Sequence, residues 1–353
     1  MKVVHVIPRL KLGGVEAAVL SSYDYLISKG INFKILALEK GTNKYNNSNI
    51  FSLNSSVISI LLYLRFFKFV CREKPDLMIF SLWKTSFLGI LLVLFRKLIR
   101  VQTRTAIIIH SSKHAHIFDK YVTNLAVKLL DNVYFDSQEA KALYNIEGEI
   151  ISFILRKPEC IPTKVYDLNY SFVFIGRVHP VKNILAALNF IRLIKSQNIK
   201  VIFDIYGPDE GGLAEVQNYI RNYNLYDVVS IKGPVEGAAI KNILPNYTFY
   251  LQFSKYEGMA ISVVEAMQYG LIPCVTNVGE INNYCKDDYN AFIFDLSKIN
   301  SDCYLVDKLF KIRTALENNN EYEYISNNAR TTFLHSRTYK EDVMSKVIHN
   351  KKN

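Results

Sequence analysis

Short apolar runs, each followed by a loop and a segment of helical pattern, recur along the chain and restrict it to one kind of architecture. Residues 3–7 (Val-Val-His-Val-Ile) are apolar except for His5, the pattern of a strand buried on both faces of a parallel sheet. Residues 33–38, 77–80, 105–109, 133–135 and 150–154 repeat the theme, as do 172–175, 201–206, 227–232, 248–253 and 291–294. Between them, residues 15–29, 57–72, 87–100, a segment from Ile184, and 260–269 read as helices. This alternation predicts α/β architecture with parallel sheets. At 353 residues the chain is too long for one ordinary core and suits two domains. Residues 156–170, holding Pro158 and Pro162, read as the linker. The domains are then 1–162 and 163–336, followed by a terminal helical segment at about 337–350.

Half the residues are apolar and 13% are aromatic, which excludes wholesale disorder. The five cysteines are scattered without metal or disulfide spacing, arguing for a reducing, cytoplasmic setting. No secretory signal is read at the start, and the uncharged runs fall short of the ~20 apolar residues a spanning helix needs. The charge is uneven. Residues 1–165 hold 23 Lys/Arg against 12 Asp/Glu, whereas residues 166–353 hold 20 of each. Between Val57 and Arg104 the basic residues alternate with Leu, Ile and Phe rather than with exposed stacking aromatics. That combination favours an anionic membrane surface over nucleic acid as a partner.

The stretch Lys255-Tyr-Glu-Gly-Met-Ala-Ile-Ser-Val-Val-Glu-Ala-Met-Gln-Tyr-Gly270 follows one of these strands. Glu257 hangs in the strand-to-helix loop and Glu265 lies inside the helix. The amides of Gly258, Met259, Ala260 and Ile261 sit between them at a helix N-terminus, which favours anions and hydroxyl oxygens. A plainer reading makes Ser262-Val-Val-Glu265 a capping box. Arg177 and Lys182 follow the strand at 172–175 and can neutralise a diphosphate leaving group as its charge develops. Gly13 and Gly14 allow backbone to approach a phosphate or a sugar, or simply make a tight turn; GxGxxG is absent, so nicotinamide binding is not expected. His110 ends a strand, where doubly wound sheets bind ligands, and is otherwise a solvated loop histidine. His114 and His116 read as solvated, and His179 as an exposed loop residue. No Asp-x-Asp pair or ligand cluster predicts a metal.

The stretch around Glu257 and Glu265, followed by Ile272-Pro-Cys-Val-Thr276 and Gly279-Glu280, resembles the signature of family-4-type retaining glycosyltransferases. The resemblance is strongest over residues 172–295 and implies the GT-B fold, two Rossmann-like domains facing across a cleft. It implies that Glu257 contacts the transferred sugar and Glu265 the ribose of the nucleotide. Arg177 and Lys182 match the family's pyrophosphate clamp. The turns at Gly207-Pro208 and at Val235 would border the base, His110 would contact the sugar, and Gly13-Gly14 donor phosphate or acceptor. The last helix would cross back onto the first domain. One departure is Ser262, where relatives usually carry proline.

The resemblance implies metal-independent, cofactor-free transfer of a hexose from a nucleotide-diphosphate sugar (UDP-sugar). The acceptor would be a glycan or lipid-linked oligosaccharide in cell-surface polysaccharide synthesis at the inner face of the membrane. A nucleotide-sugar epimerase of the same fold and a non-catalytic nucleotide-sugar-binding scaffold stay open as alternatives.

Overall fold

A computed structural model describes residues 1–10, 13–39, 48–56, 59–110, 114, 116–158 and 169–350. Residues 41–47 of a polar stretch read as a loop over 41–56, the first residues of the helix expected from Val57, the Ser111–Lys113 segment after His110 and most of the linker lie outside the described residues.

The chain divides into two compact units, Met1–Leu155 with Arg337–Asn353, and Arg156–Ser336. In chain order the first contains β1 (Lys2–Ile7), α1 (Gly14–Ser28), β2 (Asn32–Ala37), β3 (Ile50–Ser52), α2 (Ile60–Glu73), β4 (Leu77–Ser81) and α3 (Trp83–Phe95). It continues with β5 (Arg104–Ile109), α4 (Ile117–Leu129), β6 (Asn132–Phe135), α5 (Gln138–Tyr144) and β7 (Glu149–Ile150). The second contains β8 (Tyr170–Ile175), α6 (Ile184–Ser196), β9 (Val201–Tyr206), α7 (Leu213–Asn222), β10 (Val229–Gly233) and α8 (Ile240–Ile243). Then come β11 (Phe249–Gln252), α9 (Ile261–Gln268), β12 (Ile272–Thr276), α10 (Ile281–Tyr284), β13 (Phe292–Phe294), α11 (Asp302–Glu317) and α12 (Asn319–Thr331). The final segment, α13 (Tyr339–Asp342) and a π-helical turn at Val343–Ile348, returns to the first unit.

Each unit is built on one parallel sheet, in the order β3-β2-β1-β4-β5-β6-β7 and β10-β9-β8-β11-β12-β13. Helices cover both faces, so the central strands are buried in succession: β4 is buried throughout, whereas burial alternates along β9. Phe66, Phe80, Ile107 and Phe135 fill the first core; Phe172, Phe190, Phe249 and Phe294 fill the second.

Helix starts follow local chemistry where a cap is present. The side chains of His116 and Ser137 accept from Asp119 N and Ala140 N to open α4 and α5. Thr338 and Glu341 form a capping box on α13. The helix expected at 87–100 instead runs over Trp83–Phe95. Its start carries no capping side chain: Leu82, at φ +71°, turns the chain sharply out of β4 straight into the helix. No helix among the described residues is long and apolar enough to cross a membrane.

Candidate active site

In the second unit β9 and β10 lie to one side of β8, and β11, β12 and β13 to the other. The carboxyl ends of β8 and β11 therefore flank the point where strand order reverses, the place at which open α/β sheets bind ligands. Arg177 and Lys182 follow β8, and Glu257 and Glu265 follow β11. Lys182 Nζ donates to Glu257 Oε1 at 2.5 Å across this point. The same oxygen accepts from Ser254 Oγ at 2.5 Å and Gln252 Nε2 at 3.0 Å. Arg177 instead pairs with Glu210, its Nη1 2.6 Å from Oε2, on a more exposed side.

The loop carrying Glu257 is fixed on several sides. Glu280 N donates to Gly258 O, and Tyr284 OH to Met259 O at 2.9 Å. Gly279, at φ +57°, lies so close to the Glu257 carbonyl that any side chain there would collide with it. Ala260 takes φ +49° and is the residue before α9. The helix therefore starts at Ile261, and Ser262 lies inside its first turn. That corrects the capping-box reading of Ser262 and Glu265. Ser262 Oγ instead meets Tyr250 OH at 2.7 Å.

Glu265 is buried, and no hydrogen bond among the described residues reaches its carboxylate. Burial pushes its pKa up to about 7, opposed by the Arg156 guanidinium. Arg156 is anchored by donation from Nη1 to Gly237 O at 2.6 Å.

The remaining turns stack beside these groups. Gly176 N donates to Tyr206 O, Val178 N to Pro208 O, and Gly207 N to Gly233 O, two residues before Val235. A Cβ at Gly207 would strike the Gly176 carbonyl, so only glycine permits this approach. His179, expected to be an exposed loop residue, caps the 3₁₀ turn before α6: its Nδ1 accepts from Val181 N at 3.1 Å.

In the first unit Gly13 precedes α1, where Gly13 O accepts from Ala17 N, and Gly14 opens the helix. The His110 ring is turned inward, with 2% of its side chain exposed. Its Nε2 lies 2.9 Å from Ser81 Oγ, and His5 Nε2 lies 2.8 Å from the same oxygen. Burial pushes both histidines down to about 3, with His5 adding to the effect on His110, so both are neutral at pH 7. Asp136 lies 3.8 Å from His110 Nδ1, and Phe153 meets the ring edge-on.

Of the residues singled out in the sequence, Lys182 and Glu257 are brought into contact, Arg177 and Glu265 stand beside the same strand ends, and Gly13, Gly14 and His110 belong to the other unit. Gln252, Ser254, Tyr250, Ser262, Glu210, Arg156, His5 and Ser81 were missed as site residues. Gln252 carried a signal: it is the one amide in an otherwise apolar strand.

This doubly wound, two-unit arrangement is the GT-B fold of nucleotide-sugar-dependent glycosyltransferases. Residues 163–332 match the family "Glycosyl transferases group 1". That segment spans most of the second unit, which is thus similar to group 1 of the glycosyl transferases. Anabaena HepE in complex with UDP superposes with a TM-score of 0.78 at 16% identity, over 99% of this chain and 100% of that one. Sucrose-phosphate synthase of Thermosynechococcus elongatus also gives 0.78, at 12% identity over 100% and 98% of the two chains. An Escherichia coli protein, UDP-Gal:alpha-D-GlcNAc-diphosphoundecaprenol alpha-1,3-galactosyltransferase, is 28% identical over 135 residues, 38% of this chain. That match spans about a third of the relative's length, 34%.

Proposed function

We propose that the protein is a retaining, metal-independent hexosyltransferase that uses a UDP-sugar and a lipid-linked or glycan acceptor in cell-surface polysaccharide synthesis. The observation that carries this reading is the meeting of Lys182 and Glu257 at the strand-order reversal, with the buried carboxylate of Glu265 beside them. Donor diphosphate takes Lys182 and Arg177, whose cations stabilise the departing charge. Glu257 orients hydroxyls of the sugar. Glu265 accepts from the ribose hydroxyls, giving its buried carboxylate hydrogen bonds that none of the described residues supplies. The turns at Gly207-Pro208 and Val235 border the base, and the amides of Gly258 to Ile261 face the donor. Gly13, Gly14 and His110 serve the acceptor side. Attack then proceeds on the face the diphosphate leaves, assisted by the departing phosphate.

The galactosyltransferase named above, whose acceptor is a diphosphoundecaprenol lipid, supports a lipid-linked acceptor. A membrane-facing role for the first unit is supported by its surface. Ile60, Leu61 and Leu64 on α2 are exposed, as are Leu94, Phe95 and Leu98 at the end of α3 and Ile117, Phe118, Tyr121 and Leu125 on α4. Lys68, Arg72, Lys97, Arg100, Lys120 and Lys128 are exposed beside them in the chain. Apolar side chains that enter an interface, with cations that meet anionic headgroups, suit peripheral attachment to the inner face of the cytoplasmic membrane.

The test is UDP release from UDP-glucose, UDP-galactose and UDP-N-acetylglucosamine, with and without a diphosphoundecaprenol-linked acceptor and with EDTA present. Release that requires acceptor and survives EDTA supports the reading. Interconversion of free donor would instead mean an epimerase, and binding without turnover a scaffold.

A further inference from the structure

The Glu257 carboxylate is the end of a buried chain of side-chain hydrogen bonds whose polarity can be read. Gln252 is 1% exposed and Tyr250 and Ser254 are fully buried. Gln252 Nε2 lies 3.0 Å from Glu257 Oε1, which fixes the amide: the flipped orientation would set its oxygen against a carboxylate. Gln252 Oε1 consequently faces the other way, 3.1 Å from Tyr250 OH and 3.5 Å from Ser262 Oγ. The phenol also meets Ser262 Oγ at 2.7 Å, Ile175 O at 2.9 Å and Ile175 N at 3.4 Å. Ile175 ends β8 and immediately precedes Gly176-Arg177.

We propose that Gln252 is a positioning residue for Glu257, oriented by Tyr250 and Ser262, and that the three couple Glu257 to the main chain from which Arg177 and Lys182 spring. The inference rests on the reading of Glu257 as the group that faces the transferred sugar. Lys182 holds Glu257 only while no diphosphate competes for it. When donor binding draws Lys182 away, Gln252 and Ser254 are the donors that keep the carboxylate aimed. Gln252 has a single amide N–H pair for this purpose, and its aim depends on the acceptor side of the same amide being held by the one phenolic proton, which Ile175 O shares, and by the Ser262 hydroxyl. Ser262 stands where the family it resembles usually carries proline, which has no hydroxyl to offer Tyr250. The coupling is set by Tyr250, Gln252 and Ser262 together. Its function is discrimination: it sharpens the difference between a nucleotide that carries a sugar and one that does not.

The experiment compares the affinity of the full-length protein for UDP with its affinity for whichever of UDP-glucose, UDP-galactose and UDP-N-acetylglucosamine the wild type binds best, by calorimetric titration. Gln252→Met keeps length and removes both polar ends. It is expected to leave the UDP affinity within about twofold and to weaken UDP-sugar by about tenfold, the effect of one hydrogen bond to a charged group. Tyr250→Phe, which keeps the ring and its packing, should move the same ratio in the same direction by a smaller factor. Glu257→Gln should lower the ratio as well, and adding Gln252→Met to it should lower the ratio no further, because the two act through one carboxylate. Equal weakening of UDP and UDP-sugar in Gln252→Met and Tyr250→Phe, or an unchanged ratio in both, overturns the inference while Glu257→Gln still reports on the sugar. If Glu257→Gln also leaves the ratio unchanged, the assignment of Glu257 to the sugar fails, and the inference with it.

Discussion

His5 on β1 and His110 just past the end of β5 share one hydroxyl: Ser81 Oγ lies 2.8 Å from one Nε2 and 2.9 Å from the other. A single hydroxyl proton satisfies only one of them as acceptor, so the other imidazole must donate. With Asp136 3.8 Å from His110 Nδ1, the favourable arrangement puts a proton on that nitrogen, has Ser81 donate to His110 Nε2 and has His5 Nε2–H donate to Ser81.

Ser81→Ala removes the shared partner from two buried imidazoles. The expected loss is roughly 1–3 kcal/mol in the stability of the first unit, read by urea unfolding of wild type and variant side by side.

Acid should destabilise the protein through the same pair. Both histidines are held at about 3 in the folded chain against an ordinary 6.5, so between those values the unfolded chain binds more protons. Their contribution to stability is full above pH 6.5 and falls as the pH drops toward 3. Each contributes a slope of roughly 1.4 kcal/mol per pH unit inside that window. His5→Asn should remove one part of that slope between pH 6 and 4.5, measured by denaturant unfolding at each pH.

Glu265 acts with the opposite sign. Its carboxyl is raised to about 7 from an ordinary 4.5, so the folded chain holds the extra proton between those values and this contribution to stability declines as pH rises from 4.5 to 7. Glu265→Gln should raise the unliganded melting temperature at pH 8, with a gain on the order of 1–3 kcal/mol. Ribose hydroxyls favour the ionised form, so UDP-glucose affinity should rise with pH up to about 7 in wild type and stay flat in Glu265→Gln. Titrations in buffers of different ionisation heat check this, because donor binding near pH 7 should release a proton from wild type alone.

Lys182→Met leaves the Glu257 carboxylate its bonds from Ser254 and Gln252 but deletes the cation assigned to the diphosphate. UDP affinity is expected to fall by about tenfold to a hundredfold, the effect of one charge-assisted contact, with the fold intact by circular dichroism. Arg177→Met, which releases only a half-exposed pair with Glu210, should cost the unliganded protein little and weaken UDP similarly.

Vesicle flotation addresses the surface of the first unit. Binding to anionic vesicles at low salt should be lost in the combined variant Leu98→Ser, Phe118→Ser, Lys97→Gln and Lys120→Gln. Neutral vesicles should recover little of either protein. Equal, salt-insensitive partitioning of wild type into both vesicle types would remove the membrane from the proposal.

Much of the sheet architecture was legible because parallel strands buried on both faces leave continuous apolar runs, as residues 3–7 and 172–175 do. The positions of Lys182 and Glu257 were legible because strand-then-loop grammar delivers both to strand ends, although they are 75 residues apart. What escaped depends on register and on backbone signs that residue types do not encode. Ser262 and Glu265 have the spacing of a capping box, but Ala260 adopts a left-handed conformation and starts the helix two residues too early for Ser262 to cap it. Trp83 opens α3 without a capping side chain, so the pattern pointed to a later start. Gln252 reads as a lone polar residue in a strand until β11 and β8 are paired, which places Tyr250 against Ile175 and leaves the amide one productive direction.

The return of residues 337–350 to the first unit sets an order of events during synthesis. Tyr339 N donates to Ile154 O, Ser152 N to the Asp342 carboxylate, and Tyr134 OH to Lys346 O. Until the ribosome has passed Lys346, the last strands of the first unit must hold these groups against water or a chaperone, while the second unit, continuous from Arg156 to Ser336, already has every residue of its own core. The half of the molecule that is translated first is therefore the half completed last.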